Sequence, residues 1–187
     1  MLDLGDAFAR PYREGDAPAL YAAVRETGAS LAQWLDWHRP DYSESDAAQW
    51  IAHCARGWAG GDAFAFALFD AADERFLGAV GINHRNRTHN FAGIGYWMRA
   101  SARGRGLAAR LGRKVAAFGF EHVGLARIEI VAAVDNLASR HTAEAIGARF
   151  EGIQRRRLRV GTHMQDAAMY ALVPADIASP AAAADRR

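Results

Sequence analysis

The sequence predicts an α+β fold in which helices flank a central mixed, mostly antiparallel sheet. Three short runs rich in aromatic and branched residues are separated by turn residues, as is typical of an antiparallel meander: "AFAFALFD", "RFLGAVGIN" and "FAGIGYWMR". After them the pattern alternates between helix and strand, which predicts one βαβ-like crossover. These two observations together indicate the α+β class.

Two or three helices are expected before the meander. The run "FARPYREGDAPALYAAV" indicates a strand, an acidic turn and then a helix with Leu20 and Val24 on one face. A helical segment is predicted to continue through "SLAQWLDWHRP" and to end by Pro40, because proline disfavours helix in the residue before it. Another helix is expected in "SESDAAQWIAHCARGW", where Ser43 and Asp46 have the spacing of N-terminal capping residues.

After the meander, the sequence predicts two helices and three strands. The helices run from Gly106 to about His122 and from Asn136 to Ile146, and Gly147 closes the second. The strands are "RIEIVAAV" and the regions around "FEGIQRRRLRV" and "HMQDAAMYALV". We expect residues 1–174 to form one domain and the alanine-rich residues 175–187 to form a frayed tail.

Length and composition restrict the class of protein. A chain of 187 residues should bury roughly 70% of its unfolded surface as one domain. The single cysteine, Cys54, excludes an internal disulfide and a CxxC zinc site, and the scattered histidines predict no metal site. The 23 basic and 21 acidic residues give a net charge of +2, which argues against sequence-independent nucleic-acid binding. With no membrane-spanning run and no secretory signal, we expect a cytoplasmic protein.

A glycine-containing junction lies between the third strand of the meander and the next helix. Gly104 and Gly106 in "RGRG" precede a helix whose Leu107, Leu111 and Val115 recur at helical spacing. Such a junction can direct unpaired main-chain N–H groups and the positive end of the helix dipole at a phosphate. The alternative is a tight turn and nothing more, since the spacing matches neither a Walker loop nor GxGxxG.

The residues of this junction fit a known pattern, Arg/Gln-x-x-Gly-x-Gly/Ala, in Arg103, Gly104, Arg105, Gly106, Leu107 and Ala108. The pattern resembles motif A of the GNAT acetyltransferases. With "IGYWM" before the loop, "DNLAS" after it and "WLDW" in the early helices, the stretch from Leu4 to Pro174 looks like the RimJ/RimL branch of that family. The resemblance implies a GNAT fold with the sheet splayed after the fourth strand. It also implies that the motif binds the pyrophosphate of acetyl-CoA, the acyl donor.

The resemblance assigns further residues to the coenzyme site. The strand before the loop would leave its neighbour, often at a bulge, so that Trp97 and Met98 offer main-chain contacts. Asn136 would contact the pantetheine arm, and Ser139 would lie near the coenzyme sulfur as thiolate stabiliser or general acid. From the residues alone, the alternatives are that Tyr96 and Trp97 are core aromatics, that Asn136 caps a helix and that Ser139 is an ordinary exposed serine.

A general base is missing from its expected place. By the resemblance, related enzymes can use a glutamate on the strand after the second helix, where this sequence has Leu158. Glu129, Glu151 and Asp166 are the nearest acidic candidates, each with a structural alternative. Because an α-amine has a pKa of about 8 and a lysine of about 10.4, roughly a tenth of the former but under about a thousandth of the latter is neutral at neutral pH. A missing base therefore favours an N-terminal amine as acceptor.

Two further groups are candidates for the acceptor side. Strand alternation in "QRRRLRV" predicts that Arg155, Arg157 and Arg159 form a cationic row on one face. The row would recognise an acidic peptide, form a solvated strand edge, or contact RNA. Trp34 and Trp37 in "WLDWH" are three residues apart and would pack in the core, or, by the resemblance, Trp34 would flank the acceptor cleft.

These observations predict an acetyl-CoA-dependent N-acetyltransferase that acts by direct attack of a primary amine in a ternary complex. The acceptor that the sequence favours is the N-terminal amine of a protein, such as a ribosomal protein. The alternatives are an enzyme for a small amine (a polyamine, amino sugar or antibiotic) and a non-catalytic acyl-CoA-binding module. Nucleic-acid and membrane partners are not expected, and a homodimer is left open.

Overall fold

The structure, a computed structural model, describes residues 1–35 and 37–178. Within these ranges, eight strands form a single sheet. The strands are β1 (Leu2–Asp3), β2 (Ala7–Pro11), β3 (Phe64–Asp70), β4 (Phe76–Asn86), β5 (Phe91–Met98), β6 (Arg127–Ala133), β7 (Arg149–Val160) and β8 (His163–Leu172).

The order of the strands confirms the predicted mixed sheet. They lie in the order β1-β2-β3-β4-β5-β6-β8-β7, and β3, β4 and β5 are the predicted antiparallel meander. The pair β5–β6 is parallel, whereas every other neighbouring pair is antiparallel. A parallel pair needs a crossover, and a helix supplies it here.

Five α-helices flank the sheet in the described part of the chain: α1 (Ala17–Ala32), α2 (Glu44–Gly60), α3 (Leu107–Glu121), α4 (Leu137–Ile146) and α5 (Pro174–Ala178). The start of α2 is the predicted capping box: Ser43 Oγ accepts from the Asp46 N–H at 3.2 Å, and the Asp46 carboxylate accepts from the Ser43 N–H at 2.8 Å. No helix in the described ranges is long and apolar enough to cross a membrane.

The sheet separates two hydrophobic cores. On one face, α3 buries Leu107, Leu111 and Val115 against the strands, in a cluster that includes Tyr170. On the other face, α1 and α2 pack against β3 and β4, with Leu20 among the buried residues. Because side chains alternate along a strand, consecutive residues of β5 point into different cores.

The helix predicted through "SLAQWLDWHRP" is wrong beyond Ala32. The Trp34 N–H donates to the Leu31 carbonyl at 3.0 Å, an i→i+3 bond that tightens the last turn, and turns and irregular backbone follow up to α2. Asp36 lies outside the described residues. Inside α1, Gly28 has φ 26° and ψ −104°, so the helix is kinked there.

The chain after β8 begins with a short helix rather than a frayed tail. The Asp176 carboxylate accepts from the Val173 N–H at 3.0 Å and pairs with Arg149 at 2.9 Å, which anchors α5 to β7. The predicted tail at 175–187 is therefore helical over its first four residues, and residues 179–187 lie outside the described part of the chain. The domain boundary itself stays a prediction.

Candidate functional site

The two central parallel strands separate part-way along their length. β5 pairs with β6 only from Phe91 to Gly93, opposite Arg127 to Glu129. Beyond this point β5 continues beside β4 alone, and β6 continues beside β8 alone. A bulge in β4, where His84 has φ 50°, lies opposite the paired part of β5 and not at the splay itself. The result is a V-shaped opening between two strands, as the resemblance implied; the predicted fourth strand is β5 here because the two-residue β1 precedes it.

The register of β5 decides which main-chain groups face the opening. The Arg99 N–H donates to the Leu77 carbonyl in β4 at 2.8 Å, and antiparallel pairing alternates from there. Arg99 and Trp97 therefore direct their main-chain groups towards β4, and a Cβ built on Gly78 would lie 2.4 Å from the Trp97 oxygen. Met98 and, in the same register, Tyr96 and Ile94 face the opening instead. In this register the main chain of Met98 faces the opening and that of Trp97 faces β4, so the predicted coenzyme contact fits Met98 better than Trp97.

The glycine loop closes the end of the opening nearest α3. Gly104 and Gly106 have φ of 76° and 67°, a conformation that side chains rarely adopt. A Cβ built on either residue would meet no atom within 4 Å, so the outer side of the loop is open. Gly106 is the N-cap of α3 and brings no side chain to the first-turn amides. Leu107 is 1% exposed and Ala108 half-buried, so these two residues fix the start of the helix in the core.

The two arginines of the loop turn towards the protein. The Arg103 guanidinium donates to Ser30 Oγ at 2.8 Å and to the Met98 carbonyl at 3.3 Å. The Arg105 guanidinium lies 3.3 Å from the Asp70 carboxylate and 3.4 Å from that of Asp6. The main chain, rather than these side chains, is therefore what the loop presents to an anion.

A contact between α1 and the entry to the loop was missed by sequence reasoning. The Glu26 carboxylate accepts from the Ser101 N–H at 3.0 Å and from Arg99 Nε at 2.5 Å. The bonds from Ser101, followed by the bond from Arg99, lower the pKa of Glu26 to about 2. Next to it, the buried Thr27 hydroxyl accepts from the Ala100 N–H at 3.1 Å. Since these partners are more than 70 residues apart, no local pattern indicates them.

Ser139 lies in the first turn of α4, on the far side of the opening from β5. Asn136 caps the helix, because its Oδ1 accepts from the Ser139 N–H at 3.1 Å, as the residue-based alternative predicted. The Tyr96 hydroxyl donates to the Ser139 carbonyl at 2.7 Å and lies 3.1 Å from Ser139 Oγ. Tyr96 therefore spans the opening from β5 to α4, and Ser139 is not an ordinary exposed serine.

Tyr96 is more than the core aromatic that the sequence indicated. Its ring packs against the core on the α3 face, while its hydroxyl reaches Ser139. Burial raises the pKa of Tyr96 to about 12, so the hydroxyl stays protonated at neutral pH. The side chain of Trp97 lies in the opposite core, 5.7 Å from the ring of Phe76, as the core reading predicted.

Of the two tryptophans predicted to lie near the acceptor, Trp37 contacts an aromatic ring of β5. The Trp37 ring lies 6.3 Å from the Trp97 ring, while Trp34 is half-buried in the turn after α1. Beside the kink of α1 is a depression of about 300 Å³ lined by Val24, Arg25, Gly28, His38, Arg39, Pro40 and Tyr42. His38 Nδ1 is buried and has no hydrogen-bond partner among the residues that the structure describes.

The predicted cationic row is interrupted by a bulge. Gln154 pairs with Ala167 and Leu158 with Gln165, so three residues of β7 lie opposite one residue of β8, Asp166. The middle residue of the bulge, Arg156, has φ 50°, and its N–H donates to the Asp166 carboxylate at 2.8 Å. Simple alternation therefore fails between Arg155 and Arg157. Both are exposed, as is Arg159, and Gln154, Arg155, Arg156, Arg157 and Asp166 line an open depression.

The three carboxylates considered as bases each have a structural partner. Glu129 lies 3.0 Å from Arg127, and Glu151 accepts from the same guanidinium at 2.8 Å. The hydrogen bond from Arg127 lowers the pKa of Glu151. Asp166 holds the bulge of β7. These contacts account for each carboxylate without a catalytic role.

The chain is similar in sequence to known acetyltransferases. Residues 8–149 match the family described as "Acetyltransferase (GNAT) domain". The Bacillus subtilis (strain 168) protein named as the ribosomal N-acetyltransferase YdaF is 33% identical over 101 residues, which are 54% of this chain and 55% of that protein. The chain thus spans little more than half the length of this curated relative.

Solved structures resemble nearly the whole chain. A Vibrio cholerae protein named as a ribosomal-protein-serine acetyltransferase is 26% identical, with a TM-score of 0.80 over 92% of this chain and 97% of its own. Mycobacterium smegmatis RimJ, solved with CoA-disulfide, is 24% identical, with a TM-score of 0.84 over 92% of this chain and 84% of its own. The likenesses confirm the predicted fold and the resemblance to the RimJ/RimL branch.

Proposed function

This chain belongs to the GNAT acetyltransferase family, and from that premise we propose that it transfers an acetyl group from acetyl-CoA to the N-terminal amine of a protein. The observation that carries the proposal is the opening between β5 and β6, which ends at the glycine loop and the start of α3. An elongated thioester whose far end carries a pyrophosphate matches this combination of a slot and an amide-rich end.

The residues at the loop fit the pyrophosphate. Gly104 and Gly106 leave the outer side of the loop open, whereas a Cβ at either position would extend into that space. The first-turn amides of α3 and the positive end of its dipole are directed at the same place. Because the Arg103 and Arg105 guanidiniums have partners in the protein, main-chain N–H groups would provide most of the recognition.

The residues along the opening fit acetyl transfer. Acetyl-CoA supplies the acetyl group activated as a thioester. The main chain of Tyr96 or Met98, which faces the opening, would polarise the thioester carbonyl by N–H donation. Ser139, across the opening, would donate its hydroxyl hydrogen to the departing sulfur.

We propose an α-amine as the acceptor because the carboxylates near the site are poorly suited to act as a general base. Glu129, Glu151 and Asp166 are each engaged in a structural contact, and the pKa of Glu26 is about 2, too low for a base at neutral pH. An enzyme without a strong base suits an amine that is already partly neutral. An α-amine, with a pKa of about 8, meets this condition far better than a lysine side chain.

A ribosomal protein is the acceptor class that we propose. YdaF is named as a ribosomal N-acetyltransferase, and the Vibrio cholerae protein is named for the serine of a ribosomal protein. The exposed arginines of the β7–β8 hairpin would favour an acidic N-terminal segment on such a protein. A ribosomal substrate would also place this enzyme in the cytoplasm.

Calorimetry with acetyl-CoA followed by a thiol-release assay tests the proposal. The assay should use peptides with free N-termini, the same peptides with acetylated N-termini, a polyamine and an amino sugar. We expect binding of acetyl-CoA and turnover only where an α-amine is free. Binding without turnover on any acceptor would support an acyl-CoA-binding module, and turnover confined to small amines would support the small-molecule enzyme.

A further inference from the structure

One tyrosine hydroxyl joins the two sides of the opening. Tyr96 is on β5, which lines one side, and Ser139 is on α4, which follows β6 on the other. The Tyr96 oxygen lies 2.7 Å from the Ser139 carbonyl oxygen and 3.1 Å from Ser139 Oγ. The carbonyl and the hydroxyl of Ser139 therefore both contact the hydroxyl oxygen of Tyr96.

The hydrogens of this pair restrict what each group can do. A tyrosine hydroxyl has one hydrogen, and a main-chain carbonyl can only accept, so the bond at 2.7 Å uses the Tyr96 hydrogen. The bond at 3.1 Å must then run from Ser139 Oγ–H to the Tyr96 oxygen. When the serine hydrogen turns to another acceptor, Tyr96 can redirect its own hydrogen to Ser139 Oγ.

We propose that Tyr96 is the positioning residue that makes Ser139 a donor to the coenzyme sulfur. It holds the first turn of α4 at a fixed distance from β5. When the serine hydrogen turns to the sulfur, Tyr96 donates its own hydrogen to Ser139 Oγ. This inference rests on the proposed function, because it concerns the thiolate that acetyl transfer releases. The amine nitrogen forms its bond to the acetyl carbon, the C–S bond breaks with its electron pair staying on sulfur, and the surplus proton of the amine passes to water. Ser139 donates a hydrogen bond to the charge on sulfur, and Tyr96 remains protonated.

Another buried tyrosine provides the matched control. Tyr170 is fully buried, and its hydroxyl also bonds to α4, where it donates to Glu144 at 3.0 Å and accepts from Arg140 at 3.2 Å. Removing either hydroxyl deletes the hydrogen bonds that join that tyrosine to α4. Of these two tyrosines, Tyr96 is the one that contacts Ser139, so a purely structural role would give the two variants similar effects.

The test compares Tyr96→Phe, Tyr170→Phe, Ser139→Ala and the Tyr96→Phe/Ser139→Ala double variant. The first measurement is the affinity for CoA relative to desulfo-CoA at a pH where the CoA thiol is ionised. Tyr96→Phe should lower the preference for CoA by roughly three- to tenfold, the net effect of one hydrogen bond, while Tyr170→Phe keeps the wild-type ratio. This readout needs no acceptor and no turnover.

The second measurement is turnover with a peptide that the wild type acetylates. Tyr96→Phe should lower kcat by roughly ten- to a hundredfold, leave both KM values within a few-fold, and add nothing in the Ser139→Ala background. An additive loss in the double variant, an effect equal to that of Tyr170→Phe, or an unchanged CoA preference would overturn the inference.

The outcomes separate this inference from the proposed function. A wild type that binds CoA but turns over no amine contradicts the proposed function, and the CoA/desulfo-CoA ratio still decides the role of Tyr96. A wild type that binds no CoA contradicts both. A wild type that turns over a peptide while Tyr96→Phe behaves like Tyr170→Phe leaves the proposed function standing and overturns this inference alone.

Discussion

Ser139→Ala should separate the chemical step from coenzyme binding. The substitution removes the hydroxyl near the opening, but it keeps the main-chain carbonyl that Tyr96 contacts and the N–H that Asn136 accepts. We expect kcat to fall roughly ten- to a thousandfold, because one donor to the developing thiolate is lost, with the affinity for acetyl-CoA, which has no thiolate, within a few-fold of wild type. Thermal stability should be nearly unchanged, since the cap is intact. Single-turnover kinetics measure the effect.

Thr142→Val is the control for Ser139→Ala. The Thr142 hydroxyl lies one turn further along α4 and donates to the Ala138 carbonyl at 2.9 Å. Its removal deletes a hydroxyl from the same helix without touching Ser139, so kcat should stay at the wild-type value. Equal rates for Ser139→Ala and wild type, where chemistry limits turnover, would show that Ser139 has no part in the reaction.

The strand–loop–helix element carries the prediction for coenzyme binding. Gly106→Val should weaken CoA binding because its side chain would enter the open side of the loop and distort the amides. Gly124→Val is the matched control, because Gly124 has φ 73°, close to the 67° of Gly106, and equal space around its Cβ position. Both variants should lose about 1–2 kcal/mol of stability through backbone strain, but only Gly106→Val should change the dissociation constant measured by calorimetry.

The β7–β8 hairpin carries the prediction for acceptor recognition. Charge reversal in Arg157→Glu should raise KM for acidic peptides and leave both the KM for neutral peptides and the affinity for CoA nearly unchanged. Arg56→Glu reverses an exposed arginine on α2 and should have no such effect. Steady-state kinetics at low ionic strength, where exposed charges are least screened, are the measurement. Equal changes for acidic and neutral peptides would remove the hairpin from the acceptor site.

The hydrogen bonds of Glu26, which join α1 to the entry of the glycine loop, predict a loss of stability in acid. The pKa of Glu26 falls from 4.5 to about 2 on folding, so its contribution is present above about pH 4.5 and is lost as the pH falls through about 2. The difference in free energy of unfolding between wild type and Glu26→Gln should therefore shrink across that window. Urea unfolding at several pH values measures it, with Glu121→Gln, an exposed glutamate at the end of α3, as control. A constant difference would contradict the assigned pKa.

Local patterns predicted the elements better than they predicted the site. The Ser43 and Asn136 caps and the glycine loop were readable because each depends on residues within a few positions. The helix predicted through Trp34 was wrong because its last turn tightens at the bond from Trp34 to Leu31. The arginine row is interrupted because a bulge, held by the contact of Arg156 with Asp166 on the neighbouring strand, breaks the alternation. The bond from Tyr96 to Ser139 joins residues 43 apart, so no sequence pattern indicates it.

Across the whole fold, β5 connects the two faces of the sheet on which we propose that the coenzyme sulfur and the amine lie. Tyr96 points to the α3 face and reaches Ser139, while Trp97 points to the α1 face and meets Trp37. On this arrangement we expect the amine to approach from the α1 face and the sulfur to leave towards α4. Holding the amine and the thioester together in one ternary complex would let the amine add directly to the acetyl carbon.

A single peptide that carries both a free N-terminus and an internal lysine shows whether the enzyme acetylates an N-terminal amine. After incubation with acetyl-CoA and the enzyme, fragmentation mass spectrometry locates the acetyl group. We predict that it lies on the α-amine and that blocking the N-terminus abolishes transfer rather than diverting it to the lysine. Acetylation of the lysine at a comparable rate, or no acetylation by an enzyme that binds acetyl-CoA, would contradict an N-terminal amine as the acceptor.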